Sequence, residues 1–119
     1  MLLSLVLPQI NPYMMVARID ALHVELGAEV RPGSRILDVN IDLGPVVPHD
    51  CPPAAYYRIV ARDHAWLRRL DVALGDQPSS GDLLALFSLD PDEPLAARPG
   101  RSLRVSVAQI LPPAGWVRA

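Results

Sequence analysis

The feature that most constrains this chain is an internal repeat at a lag of 48 residues. The first copy is ARIDALHVELGAEVRPGSRILDV, residues 17–39, and the second is AWLRRLDVALGDQPSSGDLLALF, residues 65–87. Ala17, Leu22, Val24, Leu26, Gly27 and Gly33 recur as Ala65, Leu70, Val72, Leu74, Gly75 and Gly81. Ile19/Leu67, Ile36/Leu84 and Val39/Phe87 are conservative pairs. In each copy apolar residues alternate with polar ones: Leu22, Val24 and Leu26 against His23 and Glu25, then Leu70, Val72 and Leu74 against Arg69, Asp71 and Ala73. A period of two predicts a strand with one buried face. Gly27 or Gly75 then turns the chain, and Gly33 or Gly81 marks a second turn of the kind that asks for positive φ. A second apolar strand follows, over 35–41 or 83–89.

Neither strand–loop–strand half can bury its apolar face alone. Two halves packed about a pseudo-two-fold axis can, so the repeat predicts an all-β fold, a small sandwich or flattened barrel of two quasi-symmetric halves. Composition agrees. Thirteen prolines in 119 residues are roughly twice the usual ~5%, which disfavours long helices. A length of 119 suits one domain, and half the residues are hydrophobic, which is enough for a core.

Composition also excludes chemistry. A net charge of −2 leaves no basic footprint for nucleic acid. One cysteine precludes an internal disulfide framework and a cysteine-based zinc cage. All eleven basic residues are arginine, so no lysine-dependent step can occur on this chain. The opening MLLSLVLPQI has no basic n-region and is interrupted by Pro8, so it reads as a first strand; no membrane span is expected, and the expected compartment is the cytoplasm.

The repeat resembles the biotinyl/lipoyl attachment domain, whose two halves each carry G-D-x-V-x-x-G-x-x-L. Here the copies read VELGAEVRPGSRIL and VALGDQPSSGDLLAL. Gly75-Asp76 keeps the family's glycine–aspartate pair, while Ala28 follows Gly27; Val30 keeps the valine, while Pro78 replaces it. LVLPQI is similar to the family's first strand, and the resemblance spans about residues 5–89. It implies that cofactor attachment, where it occurs, falls on a lysine at the tip of the hairpin joining the halves. The matching place is Asp42-Leu43, with Asp42 where the family's aspartate stands and Leu43 where its lysine stands. Leucine has no nucleophile, so neither biotin nor lipoate is expected. The resemblance therefore implies a non-enzymatic interaction or assembly module of a larger enzyme system, with a protein partner or a second copy of itself. A carrier working through Cys51 or noncovalently, and a relative of the lipoyl domains of periplasmic adaptor proteins, remain open as alternatives.

The expected organisation is a lipoyl-like unit over 1–89, a proline-rich hairpin at 42–55, a linker at 90–101 and an added strand at 102–111. In that strand Leu103, Val105 and Val107 alternate with Arg104, Ser106 and Ala108, and it must join a sheet of this chain or of another. Among reactive residues, His49, Asp50 and Cys51 are adjacent on the hairpin, and only His23 and His64 could assist them in binding a metal, so no metal site is expected. Cys51 is a candidate reactive thiol, with no basic neighbour in sequence to lower its pKa. Asp63 and His64 are neighbours, but no serine completes a triad with them, and no catalytic residue is assigned. Glu25, Glu29, Asp38 and Asp42 are read as solvated acids around turns, with a docking face for a basic partner as the functional reading. Tyr56, Tyr57 and Trp66 are read as core or rim.

Overall fold

A computed structural model describes residues 1–10, 16–42, 54–95 and 98–110. The chain is an all-β sandwich, with no helix among the described residues. In chain order the strands are β1 (Leu2–Val6), β2 (Val16–Leu22), β3 (Glu29–Val30), β4 (Arg35–Asp42), β5 (Ala54–Ala61), β6 (Ala65–Leu70), β7 (Leu83–Ser88), β8 (Arg101–Ser102) and β9 (Val105–Ile110). One sheet runs β3-β6-β7-β1-β8, here called sheet A, and the other β2-β4-β5-β9, called sheet B. The sheets face each other with open edges, so the flattened-barrel form of the expectation gives way to the sandwich.

The repeat is visible bond by bond. β2 and β6 occupy equivalent places, as do β4 and β7, each pair offset by the repeat length. Both first strands carry a bulge at the same point, between Ile19 and Ala21 and between Leu67 and Arg69. Both second strands do so too, where Ile36 and Leu84 are the extra residues. A bulge places two successive side chains on one face. This explains why Ile36 and Leu37, and likewise Leu84 and Ala85, all sit in the core cluster at 1% exposure or less.

Each half reaches both sheets. β2 and β4 lie in sheet B while β3 lies in sheet A; β6 and β7 lie in sheet A, and the loop after β6 crosses to β2. The exchange is fixed by reciprocal backbone bonds. The Gly27 amide donates to the Leu67 carbonyl and the Gly75 amide donates to the Ile19 carbonyl, each at 2.8 Å. Leu67 donates in return to Ala28, and Ile19 to Asp76, each at 2.9 Å. β1 and β5 complete the symmetry: Leu7 exchanges bonds with Gly81 and Asp82, as Ala61 does with Gly33 and Ser34.

Alternation selects the buried face. Leu3, Leu5, Ala17, Ile19, Val39, Ile41, Ile59, Ala65, Leu67 and Phe87 all lie at 1% exposure or less. Burying one such aliphatic side chain contributes about 1.5–3 kcal/mol, so this seam supplies the main stabilisation.

The first strand of each half lies earlier than the alternation predicts. The strands end at Leu22 and Leu70, and Leu26 and Leu74 are 66% and 62% exposed. Each is the second residue of a four-residue turn, closed by Ala28 N–H to Glu25 C=O and by Asp76 N–H to Ala73 C=O. The glycine after it supplies the positive φ, +84° at Gly27 and +87° at Gly75. That second position projects outward, so a period-two pattern runs past the strand into a solvent-facing leucine.

The segment after β7 is held against the domain. The Arg68 Nη1 donates to the Ser88 hydroxyl at 3.1 Å and to the Glu93 carbonyl at 2.7 Å. The Ser88 hydroxyl donates to the Asp90 carbonyl at 2.6 Å, and the Met1 amino group pairs with Glu93 at 2.5 Å. Part of the stretch expected as a linker is thus tied to the outer face of sheet A. The expected added strand is divided. β8 runs parallel to β1, Leu103 enters the core at 4% exposure, and β9 pairs antiparallel with β5. Val105 packs against the core cluster, but Val107 is 37% exposed at the sheet edge.

Gly33 and Gly81 have φ of +98° and +91°, and a Cβ built at either meets no atom within 4 Å. Substitution is therefore opposed by backbone strain alone. Gly33→Ala and Gly81→Ala should each cost about 1–2 kcal/mol in chemical denaturation, by similar amounts. A neutral result at either position would contradict the equivalence of the two turns.

Candidate functional site

The end of the sandwich that carries the β4–β5 hairpin is the place to which the sequence directs attention. The β4–β5 ladder continues without a break from Leu37↔Ile59 to Asp42↔Ala54. Asp42 is the last residue of β4. Leu43, His49, Asp50 and Cys51 lie outside the described residues, so the attachment-position reading of Leu43 and the thiol reading of Cys51 rest on sequence. Among the described residues there is no cluster of three or more His, Cys, Asp or Glu side chains placed to hold a metal.

Below this hairpin, the outer face of sheet B carries a charged cluster. Asp38 on β4 is directly opposite Arg58 on β5. The Arg58 Nε donates to Asp38 Oδ1 at 2.8 Å and its Nη2 to Oδ2 at 3.2 Å. His23 Nε2 lies 3.1 Å from the same Oδ2. Asp38 is only 8% exposed, so the expectation of a solvated acid at this position is corrected. Burial pushes its carboxyl pKa up, but the hydrogen bonds and positive charges of Arg58 and His23 outweigh that, and the net shift is downward. The signal was present in the sequence as two opposite charges at mid-strand positions, each flanked by apolar residues. Recognising it required the pairing register.

A second acid is held by a distant arginine. Asp63 does not act with His64. It accepts from Arg101 Nη1 at 2.8 Å and Nη2 at 3.2 Å, and from the Arg104 backbone N–H at 2.8 Å. The Arg101 hydrogen bond is the largest influence on its carboxyl, burial opposes it, and the pKa is lowered. His64 instead contacts Glu29, and its ring lies 4.8 Å from that of Trp66. The Glu29 carboxyl is likewise lowered, first by the His64 hydrogen bond. Glu25 stays exposed, as expected. Tyr56 is 5% exposed, Tyr57 packs against the core, and Trp66 is half-buried.

Two open depressions flank the turns, and they too are related by the repeat. One, of about 540 Å³, is lined by residues including His23, Glu25, Glu29 and Arg35; the other, of about 390 Å³, by Asp71, Asp76, Gln77 and Asp82. In the second, Asp76 and Asp82 are already used within their turns, accepting from Ala73 N–H and Ser79 N–H at 2.8 Å each. Asp38, Asp63, Asp76 and Asp82 thus tie strands and turns together. No nucleophile with an adjacent base is assembled among the described residues. No helix of the described residues is long and apolar enough to cross a membrane. No family model matches the chain, and neither a curated protein nor a solved structure matches it.

Asp63 generates a pH prediction. Its folded pKa lies below the ordinary 3.8. A depressed carboxyl contributes stability that is fully present above the unfolded-state value and is lost as pH falls through the folded value. Asp63→Asn should therefore lower the melting temperature at neutral pH, by the equivalent of about 1 kcal/mol or more. The gap to the parent protein should close at pH below the ordinary carboxylate value. A gap that stays constant down to acid pH would contradict the assignment.

Proposed function

We propose that this chain is a non-enzymatic interaction or assembly module on a lipoyl/biotinyl-like scaffold, not itself lipoylated or biotinylated, serving a larger enzyme system in the cytoplasm. The observation that carries the reading is the combination of a duplicated sandwich, whose halves are joined through the β4–β5 hairpin, with a sequence that contains no lysine. Biotin and lipoate attach through an amide to a lysine ε-amine, and Leu43 stands where the resemblance puts that lysine. The scaffold would then serve for recognition rather than carriage. Its charged side chains support this use, since Asp38, Asp63, Glu29, Arg58 and Arg101 are paired with one another or with histidine and are committed to structure. The partner is a protein, engaged through the hairpin end.

Intact mass spectrometry of the chain recovered from its native host, with identification of whatever co-purifies at fixed stoichiometry, tests the proposal. The expected result is the unmodified mass of the sequence together with one enzyme complex. A lipoyl or biotinyl adduct, or an adduct on Cys51, would overturn the non-carrier reading; recovery as a free single chain would overturn the assembly reading.

A further inference from the structure

The four sheet edges are not alike. Sheet A ends in β3 and β8, two residues each. The free side of β2 is met at Ile19 by the Gly75 amide and the Asp76 carbonyl. Strand β9 ends sheet B with six residues, paired to β5 without a register shift. Beyond that ladder, no backbone group of residues 105–110 bonds to another described residue's backbone. Soluble proteins blunt such an edge with lysine, proline, an inward charge or a bulge. The sequence VSVAQI has no charge and no proline, its ladder has no bulge, and Val107 is 37% exposed.

We propose that β9 pairs with β9 of a second copy, antiparallel about a two-fold axis, so that the two four-stranded sheets B join into one continuous sheet. The lack of charge suits this occupant. In a two-fold strand pair the residue on the axis faces its own copy, and the others face a near neighbour on the same strand. Any charge at the centre would therefore oppose its like. β9 is uncharged throughout, and pairing centred at Val107 sets Val107 against its mate and Val105 against Gln109. Pro112 and Pro113 follow Ile110 almost at once, and neither has an N–H to donate to a returning ladder. Edge pairing over six residues buries little side-chain area, so the association should be reversible and concentration-dependent. It is independent of the lysine argument and of whatever the hairpin end engages.

Sedimentation equilibrium of the full chain tests it. The mass should rise with concentration from 13.0 kDa towards twice that value. Val107→Arg places like charges at the axis on a side chain that is already partly exposed, and should hold the mass at 13.0 kDa throughout with an unchanged circular dichroism spectrum. A chain ending at Leu111 should still dimerise. A parent protein that stays monomeric at every concentration, a Val107→Arg variant that associates as the parent does, or loss of the dimer on truncation would each overturn the proposal. Should Val107→Arg fail to fold, amide exchange in the parent decides. Exchange within β9 that slows with concentration supports the pairing, and exchange independent of concentration overturns it.

Discussion

Two pairs of backbone hydrogen bonds hold this fold in its shape. The turn after the first strand of each half is clamped onto the first strand of the other: Gly27 and Ala28 on Leu67, and Gly75 and Asp76 on Ile19. Each clamp requires a residue that accepts positive φ at the turn and a buried aliphatic residue on the strand it grips. Glycine and Ile19 or Leu67 supply these in both copies. Since each half's turn covers the edge of the other half's strand, neither half has a complete sheet by itself. The core, the paired depressions and the hairpin between β4 and β5 all take their positions from this mutual grip.

The chain after β7 is fastened largely by ionic and polar contacts rather than by a second core. Asp63, on the connection between β5 and β6, holds Arg101 and the Arg104 amide, and so fixes the point where the chain leaves β8 for β9. Arg68 and Ser88 hold the backbone after β7 against sheet A. Among the described residues after β7, Leu103 and Val105 anchor this region in the apolar cluster. Much of the charge among the described residues thus serves the architecture.

The fold class was legible because a repeated pattern of alternation and glycine needs no knowledge of distant contacts. The strand ends were less so. Leu26 and Leu74 extend the period-two pattern by a residue that belongs to a turn, and only closure of the turn by Ala28 and Asp76 distinguishes the two. The bulges at Ile36 and Leu84 were invisible for the opposite reason, since each extra residue is an aliphatic side chain beside another apolar one and nothing marks which of them is unpaired. Asp38 reads from sequence as an ordinary surface acid because its partner Arg58 is twenty residues away and meets it only through the strand register. Asp63 has no partner legible near it in sequence, because Arg101, which holds it, lies 38 residues away and beyond the repeat. Leu103, Val105 and Val107 alternate in sequence as one strand, whereas Leu103 lies between β8 and β9 and burial declines from Leu103 to Val107 at the sheet edge.

Native-state hydrogen exchange of four amides, those of Ile19, Gly27, Leu67 and Gly75, addresses the mutual clamp most directly. If the two halves stabilise each other, all four should exchange only through global unfolding, with protection that falls in parallel as denaturant is added. Exchange of Ile19 and Gly75 by a local opening while Leu67 and Gly27 stay protected, or the reverse, would show that one clamp opens independently and would contradict the reciprocal architecture.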